Sequence, residues 1–338
     1  MEVNMNETIL LAHGSGGKLS HELIKEVLLP SLSNPFLEKM DDSAILEIKG
    51  SAAFTTDSFV VNPLFFPGGD IGKLAICGTI NDLSMVGAKP LYLSLALIIE
   101  EGLSLEELRC VMTSIRKVTQ ESGVRVVTGD TKVVNHGSAD RLFINTAGIG
   151  IVPAGLHISG SNARPGDKIM VSGSIGDHGI AVMAQRQGFR FNVLVESDCA
   201  PLNFLVEEML AYPSAIHSLR DPTRGGLATT LNELAQQSSV GFNIFEDSIP
   251  VKKSVRAACD MLGLDPLYIA NEGKLIAVVA PDRVQQILET MRSNQYGTES
   301  AIIGEVSAEH PGRVVLKTRL GASRIIDMLH GEILPRIC

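Results

Sequence analysis

The fold class is decided by residues 91–132, which read LYLSLALIIEEGLSLEELRCVMTSIRKVTQESGVRVVTGDTK. The β-rich run from Leu91 to Ile99 predicts a strand. Ser104 and Glu107 form a capping box, which predicts a helix that reaches about Glu121. A second β-rich segment at residues 124–127 follows. The stretch therefore predicts a strand, a helix and a strand in succession, which is typical of an α/β protein.

Strand-like and helix-like segments alternate along the rest of the chain, so both halves are predicted to be α/β (α+β) with a mixed sheet in the first half. The further predicted strands cover residues 44–48, 53–61, 142–151, 167–172, 274–279, 301–306 and 313–317. The further predicted helices cover residues 71–85, 201–219, 224–237, 252–262 and 281–293. A boundary near residues 152–165 predicts domains at residues 1–155 and 156–323, followed by a flexible tail at residues 324–338.

Length, composition and charge narrow the class of protein. The 338 residues are enough for two domains, and an apolar content of 45% is normal for a globular chain that buries a core. The formal net charge of -9 argues against binding to nucleic acid or to an anionic membrane surface. Neither a signal peptide nor an apolar run of bilayer length is visible, so we expect no membrane association and a cytoplasmic location.

The cysteines direct attention to the end of the chain. There are five, widely spaced and without a Cys-x-x-Cys pair, which argues against a disulfide framework or a structural zinc site. The sequence ends Pro335-Arg336-Ile337-Cys338. A thiol on a mobile chain end can be loaded at one site and processed at another, and Pro335 stiffens the base of such a tail. The alternative is that the chain ends on cysteine by chance.

Acidic residues stand beside several of the predicted strands. Carboxylate oxygens are hard ligands suited to magnesium, and a set of them without a histidine cluster points to magnesium–nucleotide chemistry rather than to zinc or iron. Aspartate is also common in turns and helix caps, which is the alternative for each residue taken singly. The set consists of Asp41, Asp42, Asp57, Asp82, Asp130 and Asp221.

Glycine-rich stretches are candidates for holding phosphates, although none matches a Walker A loop. Residues 14–17 and the stretch around Gly68 and Gly69 both lack residues that this motif requires. The second stretch leads into a predicted helix, whose first amides are ready anion donors. Residues 172–179, SGSIGDHG, have glycines three apart, and this spacing does not favour dinucleotide binding.

Five motifs then occur in a recognisable order: MDDSA at residues 40–44, TTD at 55–57, NDLSMVGAKP at 81–90, GDTK at 129–132 and DPTRGGL at 221–227. This order resembles that of the superfamily of aminoimidazole ribonucleotide synthetase, selenophosphate synthetase and thiamine-monophosphate kinase. FFPGGD at residues 65–70, VSGSIGDHG at 171–179 and the ending PRIC at 335–338 are most similar to the HypE family of hydrogenase maturation proteins. The resemblance covers nearly the whole chain.

The resemblance implies a two-domain PurM-like fold, in which the first domain forms a homodimer and holds the nucleotide. It also implies a reaction sequence with two partners. A carbamoyltransferase, HypF, would place a carbamoyl group on Cys338, and this chain would use ATP to dehydrate that group to a thiocyanate. A HypC–HypD complex would then accept the cyano group for the iron of a NiFe hydrogenase. We therefore expect two tail positions, one inside the protein for dehydration and one outside for loading and delivery.

The resemblance also implies roles for individual residues. Cys338 would carry the substrate group, Glu272 would accept protons, and Lys132 would neutralise the transferring phosphoryl group or orient the tail. For Glu272 the alternative is a loop or cap residue, and for Lys132 it is a solvated surface cation. The magnesium ligands would be Asp42, Asp57, Asp82 and Asp221. The ATP-binding set would be Asp41, Asp42, Asp57, Gly68, Gly69, Asn81, Asp82, Asp130 and Asp221.

Three other functions remain open from the sequence. A kinase or ligase of the same superfamily, acting on a small molecule, would not need Cys338. A thiol carrier or metallochaperone would not need the aspartates. A hydrolase with Cys338 as an ordinary nucleophile would need a nearby histidine and an oxyanion loop, and neither is identifiable beside the tail in the sequence.

Overall fold

The first half of the chain builds a four-stranded mixed sheet with helices packed on one face. The computed structural model describes residues 8–15, 17–40, 43–188, 194–329, 331, 334 and 336–338. The strands of this half are β1 (Ser51–Phe59), β2 (Phe65–Phe66), β3 (Gly69–Asp70), β4 (Lys89–Glu100), β5 (Arg125–Val134) and β6 (Leu142–Val152). Its helices are α1 (Lys18–Leu23), α2 (Leu29–Leu32), α3 (Ile71–Met85) and α4 (Leu105–Ser122), and a π-helical turn, Ile24–Leu28, joins the first two. The sheet order is β1-β6-β4-β5, and β4–β5 is its parallel pair.

Capping and close packing explain how the two long helices of this half meet. Asp70 caps α3 by accepting hydrogen bonds from the backbone amides of Gly72 at 2.8 Å and Lys73 at 3.2 Å. The hydroxyl of Ser114, on α4, donates to the same carboxylate. A Cβ atom on Gly72 would lie 2.7 Å from the carbonyl oxygen of Val111, so glycine is required where the two helices approach.

The second half builds a seven-stranded mixed sheet. Its strands are β7 (Lys168–Val171), β8 (Ile216–Arg220), β9 (Gly241–Phe245), β10 (Ile276–Val279), β11 (Ala301–Ser307), β12 (Val314–Lys317) and β13 (Ser323–Ile326). Its helices are α5 (Asp177–Gln187), α6 (Asn203–Met209), α7 (Gly226–Ser238), α8 (Lys253–Leu262) and α9 (Val284–Ser293). The order is β13-β12-β9-β11-β7-β10-β8, and β9–β12 is the parallel pair. The predicted α/β class with mixed sheets is therefore confirmed.

Three of the predicted segments were wrong in whole or in part, and one strand was missed. Residues 44–48 form no strand. The helix predicted over 201–219 ends at Met209, and β8 follows, because Ile216–Arg220 pair with the buried strand β10. Strand β9 was not predicted. Residues 324–326, which were assigned to the tail, belong to β13, since they pair with β12.

The opposite face of the four-stranded sheet carries exposed apolar side chains. Phe54 of β1 is 72% exposed and Ile98 of β4 is 42% exposed, and the register places both on this face. Such a surface indicates a contact with another protein surface. In the part of the chain that the structure describes, no helix has the length and apolar character needed to cross a membrane.

The two halves share hydrophobic packing. Val182 of α5, Cys199, Ala270 and the tail residue Ile337 all pack into the core cluster that the first half builds. Ile337 is 3% exposed. The end of the chain is therefore part of the folded core, and its burial brings both halves together around the last residue.

Candidate active site

A cavity of about 240 Å³ lies where the first half, the second half and the end of the chain meet. Asp57 comes from β1, Asp82 from α3, Asp221 from the loop after β8, and Glu272 from the loop before β10. The thiol-bearing residue Cys338 lines the same space. The complete lining is Thr56, Asp57, Phe59, Gly78, Asp82, Asp221, Thr223, Arg224, Glu272 and Cys338. We call this space the acidic cavity.

Three aspartates face the acidic cavity. Among the described residues that line it, Arg224 is the one cation that can balance their negative charge. Burial raises the pKa of Asp57 and Asp82, and the negative charge of Asp57 raises the pKa of Asp82 further. Burial, with the charge of Asp82, raises the pKa of Asp221 to about 7. The hydroxyl of Thr55 donates to Asp82 at 2.9 Å and fixes one of its oxygens. A cation between these carboxylates would relieve their repulsion and their loss of hydration.

Glu272 is a buried carboxylate with an unsatisfied oxygen. It is 3% exposed, and its Oε1 has no hydrogen-bond partner among the described residues. Burial raises its pKa well above the usual value, and the neighbouring Cys199 and Asp221 add to the effect. Its backbone amide donates to Asp198 at 3.1 Å. A Cβ atom on the next residue, Gly273, would lie 1.8 Å from the carbonyl oxygen of Asp198, so only glycine allows this close approach.

The last three residues are held through their backbone carbonyls. The amide of Val60 donates to Cys338 at 3.3 Å, and the amide of Asn62 donates to Arg336 at 3.2 Å. His178, on α5, contacts the carbonyl oxygen of Ile337 through Nε2 at 2.9 Å. Because burial lowers the pKa of His178, its neutral ring donates this bond.

Two arginines clamp the same segment. The guanidinium of Arg186 donates to the carbonyl oxygen of Arg336 and, through Nε, to that of Asn62, each at 2.6 Å. The side chain of Arg336 donates to the carbonyl oxygen of Val60 at 2.9 Å and forms an ion pair with Asp140. The tail thus lies along the residues that follow β1, with its thiol in the acidic cavity.

The docked thiol is held protonated by its surroundings. Burial raises the pKa of Cys338 far above that of a free thiol, and the adjacent Glu272 and Asp57 raise it further. The charge of Arg224 opposes this rise. Because the thiolate is the reactive form, the docked cysteine is a poor nucleophile. This environment does not favour a hydrolase that uses Cys338 to attack a substrate in place.

A second group of predicted residues lies at the far edge of the first sheet. Asp130 and Lys132 are on β5 and line a cavity of about 570 Å³, together with residues of α2 and of the segment 13–15. Their side chains form an exposed ion pair at 3.3 Å. Strands β6 and β4 separate β5 from β1, so within one chain Asp130 and Lys132 do not line the acidic cavity.

The remaining predicted residues lie in structural positions. Gly68 precedes β3, and its carbonyl oxygen accepts a hydrogen bond from Lys73 at 2.8 Å. Gly69 begins β3. The side chain of Asn81 is 1% exposed and donates to the carbonyl oxygens of Ala200 and Glu272, which ties α3 to the loop of the predicted base. Asp41 and Asp42 lie outside the described residues, as does Pro335 of the tail.

The structure adds residues to which the sequence analysis gave no role. Arg224 lines the acidic cavity, and it stands inside the quoted motif DPTRGGL, so the motif was the available signal. His178 stands in VSGSIGDHG, and its contact with the tail joins positions that are 159 residues apart. Arg186 carried no sequence signal. Its contact to Arg336 joins positions that are 150 residues apart.

Magnesium fits the donor set only if other ligands complete the site. Within the described residues, no three or more His, Cys, Asp or Glu side chains are close enough to hold a metal ion by themselves. Magnesium keeps several waters and binds through one or two carboxylates together with substrate phosphates. The carboxylates of Asp57, Asp82 and Asp221 suit that pattern, since they face one cavity and repel one another.

Comparison with known proteins identifies the relatives of this chain. Residues 40–152 match the family model "AIR synthase related protein, N-terminal domain", and residues 164–317 match "AIR synthase related protein, C-terminal domain". Carbamoyl dehydratase HypE of Azotobacter vinelandii is 52% identical over 334 residues, which is 98% of each chain.

Solved structures agree with this likeness. A crystal structure of the hydrogenase maturation protein HypE in complex with ATP has 50% identity and a TM-score of 0.95, over 98% of this chain and 100% of that one. A crystal structure of a HypE–HypF complex has 50% identity and a TM-score of 0.81, over 91% of this chain and 99% of that one. The similarity extends along both halves, so this chain belongs to the HypE family of hydrogenase maturation proteins, within the AIR synthase related proteins.

Proposed function

We propose that this chain is an ATP-dependent carbamoyl dehydratase whose substrate is a carbamoyl group on its own Cys338. The observation that carries the proposal is the docked tail, which places the thiol of Cys338 in a cavity lined by Glu272 and three aspartates. A relative that is 52% identical bears the name carbamoyl dehydratase, and a similar solved structure is that of HypE with ATP.

The reaction requires that the amide oxygen become a good leaving group. The carbamoyl oxygen attacks the γ-phosphorus of ATP, the bond from that phosphorus to the β-phosphate oxygen breaks, and ADP leaves with the electron pair. Removal of one proton from nitrogen gives a neutral imidate phosphate. Removal of the second proton forms the C≡N bond while the C–O bond breaks, and phosphate leaves with that pair. The products are the thiocyanate, ADP and phosphate, with one proton on phosphate and one released.

Glu272 is the proposed proton acceptor. Its unsatisfied Oε1 is available for the N–H group, and its raised pKa makes the carboxylate a stronger base than an exposed glutamate. The pKa of Cys338 is raised by Glu272, which reflects how near the two groups are. A carbamoyl group on the sulfur would extend into the space that Glu272 faces.

Magnesium and the phosphates of ATP are assigned to Asp57, Asp82 and Asp221, with Asp42 as a fourth ligand from the sequence motif. When bound there, magnesium would neutralise phosphate charge and hold the γ-phosphoryl group in line with the carbamoyl oxygen. Asn81 then acts indirectly in this proposal, because its hydrogen bond to the carbonyl oxygen of Glu272 fixes the loop of the base.

Asp130 and Lys132 have a role in this proposal if the protein is a homodimer. We propose that two copies pair the sheet faces that carry Phe54 and Ile98. Under a two-fold axis, the β5 edge of one copy can lie near the β1 edge of the other. Asp130 and Lys132 would then reach the nucleotide of the second copy. The cavity of about 570 Å³ beside them is in the range of small-molecule sites.

Loading and delivery are proposed to take place with the tail undocked. The docked thiol is protonated and partly enclosed, so a carbamoyltransferase would need it outside. HypF is the proposed donor enzyme, supported by the similar HypE–HypF complex. A HypC–HypD complex is the proposed acceptor of the cyano group.

We propose domain limits at residues 1–155 and 156–323. We place the start of the tail after Ile326, because β13 ends there.

The direct test is mass spectrometry of the C-terminal peptide. The protein is incubated with HypF, carbamoyl phosphate and ATP–magnesium, and a sample is taken before and after nucleotide reaches this chain. We expect a carbamoyl adduct on Cys338 that then loses one water. If the tail stays unmodified while HypF acts on a control HypE protein, the small-molecule kinase becomes the better hypothesis.

A further inference from the structure

The two ends of the carbamoyl amide are nearly the same size and shape, so shape alone does not fix which end faces which side of the cavity. The oxygen must face the phosphoryl donor and the nitrogen must face the base. An amide offers donors at nitrogen and an acceptor at oxygen, and hydrogen bonds decide its orientation. The cavity therefore needs an acceptor on one side of Cys338 and a donor on the other.

Glu272 and Arg224 supply this pair. Both line the acidic cavity with Cys338, and Arg224 is the one cation among the described residues that do so. Their opposite effects on the pKa of the Cys338 thiol place both groups within electrostatic reach of the sulfur. The ionised carboxylate of Glu272 only accepts hydrogen bonds, and a guanidinium only donates them.

The guanidinium of Arg224 is available for a ligand. No hydrogen bond or ion pair joins it to another group in the described part of the chain. Neighbouring arginines are already engaged, since Arg220 pairs with Glu233 at 2.7 Å and Arg336 pairs with Asp140. Arg224 also lines a second cavity, of about 280 Å³, which meets the acidic cavity at Arg224 and Cys338.

The backbone holds Arg224 and Glu272 in a fixed relation. The side-chain amide of Asn271 donates to the carbonyl oxygen of Pro222 at 3.0 Å, and its backbone amide donates to the same oxygen at 3.1 Å. Asn271 precedes Glu272, and Pro222 lies two residues before Arg224. The two loops are thus linked directly, so the backbone segments that carry the acceptor and the donor are held together before any substrate arrives.

We propose that Arg224 donates to the oxygen of the S-carbamoyl group while Glu272 accepts from its nitrogen, and that this pair selects the amide orientation competent for dehydration. The inference rests on the proposed function. Charge-assisted hydrogen bonds are stronger than neutral ones, and the contact strengthens in the elimination step, when the oxygen takes the electron pair of the C–O bond and leaves as part of phosphate.

A single-turnover experiment tests the inference. The tail of each variant is first carbamoylated by HypF, and the rate of water loss from the Cys338 adduct is then followed by mass spectrometry after addition of ATP–magnesium. Arg224→Gln is expected to slow water loss about 10²-fold, the usual effect of removing one donor to a developing charge. Arg220→Gln serves as the matched control. It also removes one positive charge near Asp82 and Asp221, but Arg220 does not line the cavity.

Chemical rescue separates a contact from a structural effect. Arg224 is exposed at the cavity mouth, so added methylguanidinium can reach the space left by Arg224→Ala. We expect methylguanidinium to restore part of the rate and methylammonium to restore less, because a planar fork of donors suits the amide oxygen. Carbamoyl loading and ATP affinity should stay unchanged in both variants.

Two outcomes would overturn the role of Arg224. One is water loss from Arg224→Gln at the wild-type rate. The other is a slow variant with weakened ATP binding and no rescue, which would assign Arg224 to the nucleotide. If the loaded wild-type protein itself fails to lose water, the proposed function fails instead, so the two failures are distinguishable.

Discussion

The two edges of the four-stranded sheet carry different halves of the predicted site. At the β1 edge, Asp57, Asp82, Asp221 and Glu272 are drawn together with Cys338 around a small cavity, and burial raises the pKa of every one of them. At the β5 edge, Asp130 and Lys132 are exposed beside a larger cavity. In the proposed function, the β1 edge carries out the chemistry on the tail, whereas the residues of the β5 edge act there only when a second copy supplies them.

Removal of the Cys338 thiol should have the largest effect on activity. Cys338→Ala leaves the β1 edge without a place for the carbamoyl group, so adduct formation and thiocyanate production should both fall to background. The side chain is partly exposed and the tail is held through backbone carbonyls, so thermal stability should change little. Mass spectrometry and a thermal melt measure the two effects. Cyanide production by this variant would contradict the assignment.

Glu272→Gln should have the next largest effect, since it keeps the shape of the cavity and removes the base. Water loss from the loaded tail should slow about 10²- to 10⁴-fold, the range of a general base. The ionised form of Glu272 is the active one, so the wild-type rate should rise with pH as this raised pKa is passed. The variant should lack that rise. Rates measured across the pH range in single turnover check it, and an unchanged pH profile would exclude Glu272 as the base.

A mixing experiment asks whether the β5 edge acts on the other copy. Lys132→Ala and Cys338→Ala proteins should each be inactive or nearly so when alone. After exchange of subunits, each mixed dimer would contain one intact pairing of Cys338 with Lys132, so activity should return to about a quarter of wild type. A strictly monomeric active protein, or a mixture that stays inactive after proven exchange, would contradict the shared site.

The smallest expected effect concerns the free energy of unfolding of the protein in the absence of metal. The folded protein raises the pKa of Asp221 from 3.8 to about 7, so the native state holds this proton more tightly than the unfolded chain does. Stability should therefore fall relative to Asp221→Asn as pH rises from about 4 to 7, by at most about 4 kcal/mol, and change no further above that window. Denaturant melts in a chelator at several pH values measure the difference. Added magnesium should restore more stability to the wild type than to the variant.

The sequence allowed much of this fold to be predicted where local signals were strong. The helix over residues 71–85 was predicted with the observed bounds, because Asp70 caps it and apolar residues fill it. Strand β8 was missed although Pro213 interrupts the predicted helix, because the pairing of Ile216–Arg220 with β10 is non-local.

The candidate site shows the same limit. Motif order singled out Asp57, Asp82 and Asp221, the resemblance added Glu272, and the structure brings all four to one cavity. The same motifs also included Asp130 and Lys132, whose distance from that cavity depends on strand order, which no local pattern encodes. The anchors of the tail were equally out of reach, since Arg186 meets Arg336 only through tertiary folding.

The raised pKa of the docked Cys338 also affects how readily this residue is oxidised. Peroxides and disulfides react with the thiolate form of cysteine, and the docked residue is held as the thiol. Docking of the tail should therefore also protect Cys338 from oxidation. In the proposed cycle, an idle molecule would keep its acceptor sulfur reduced, and only a tail that had left the cavity would be exposed to oxidants as well as to the proposed carbamoyl donor.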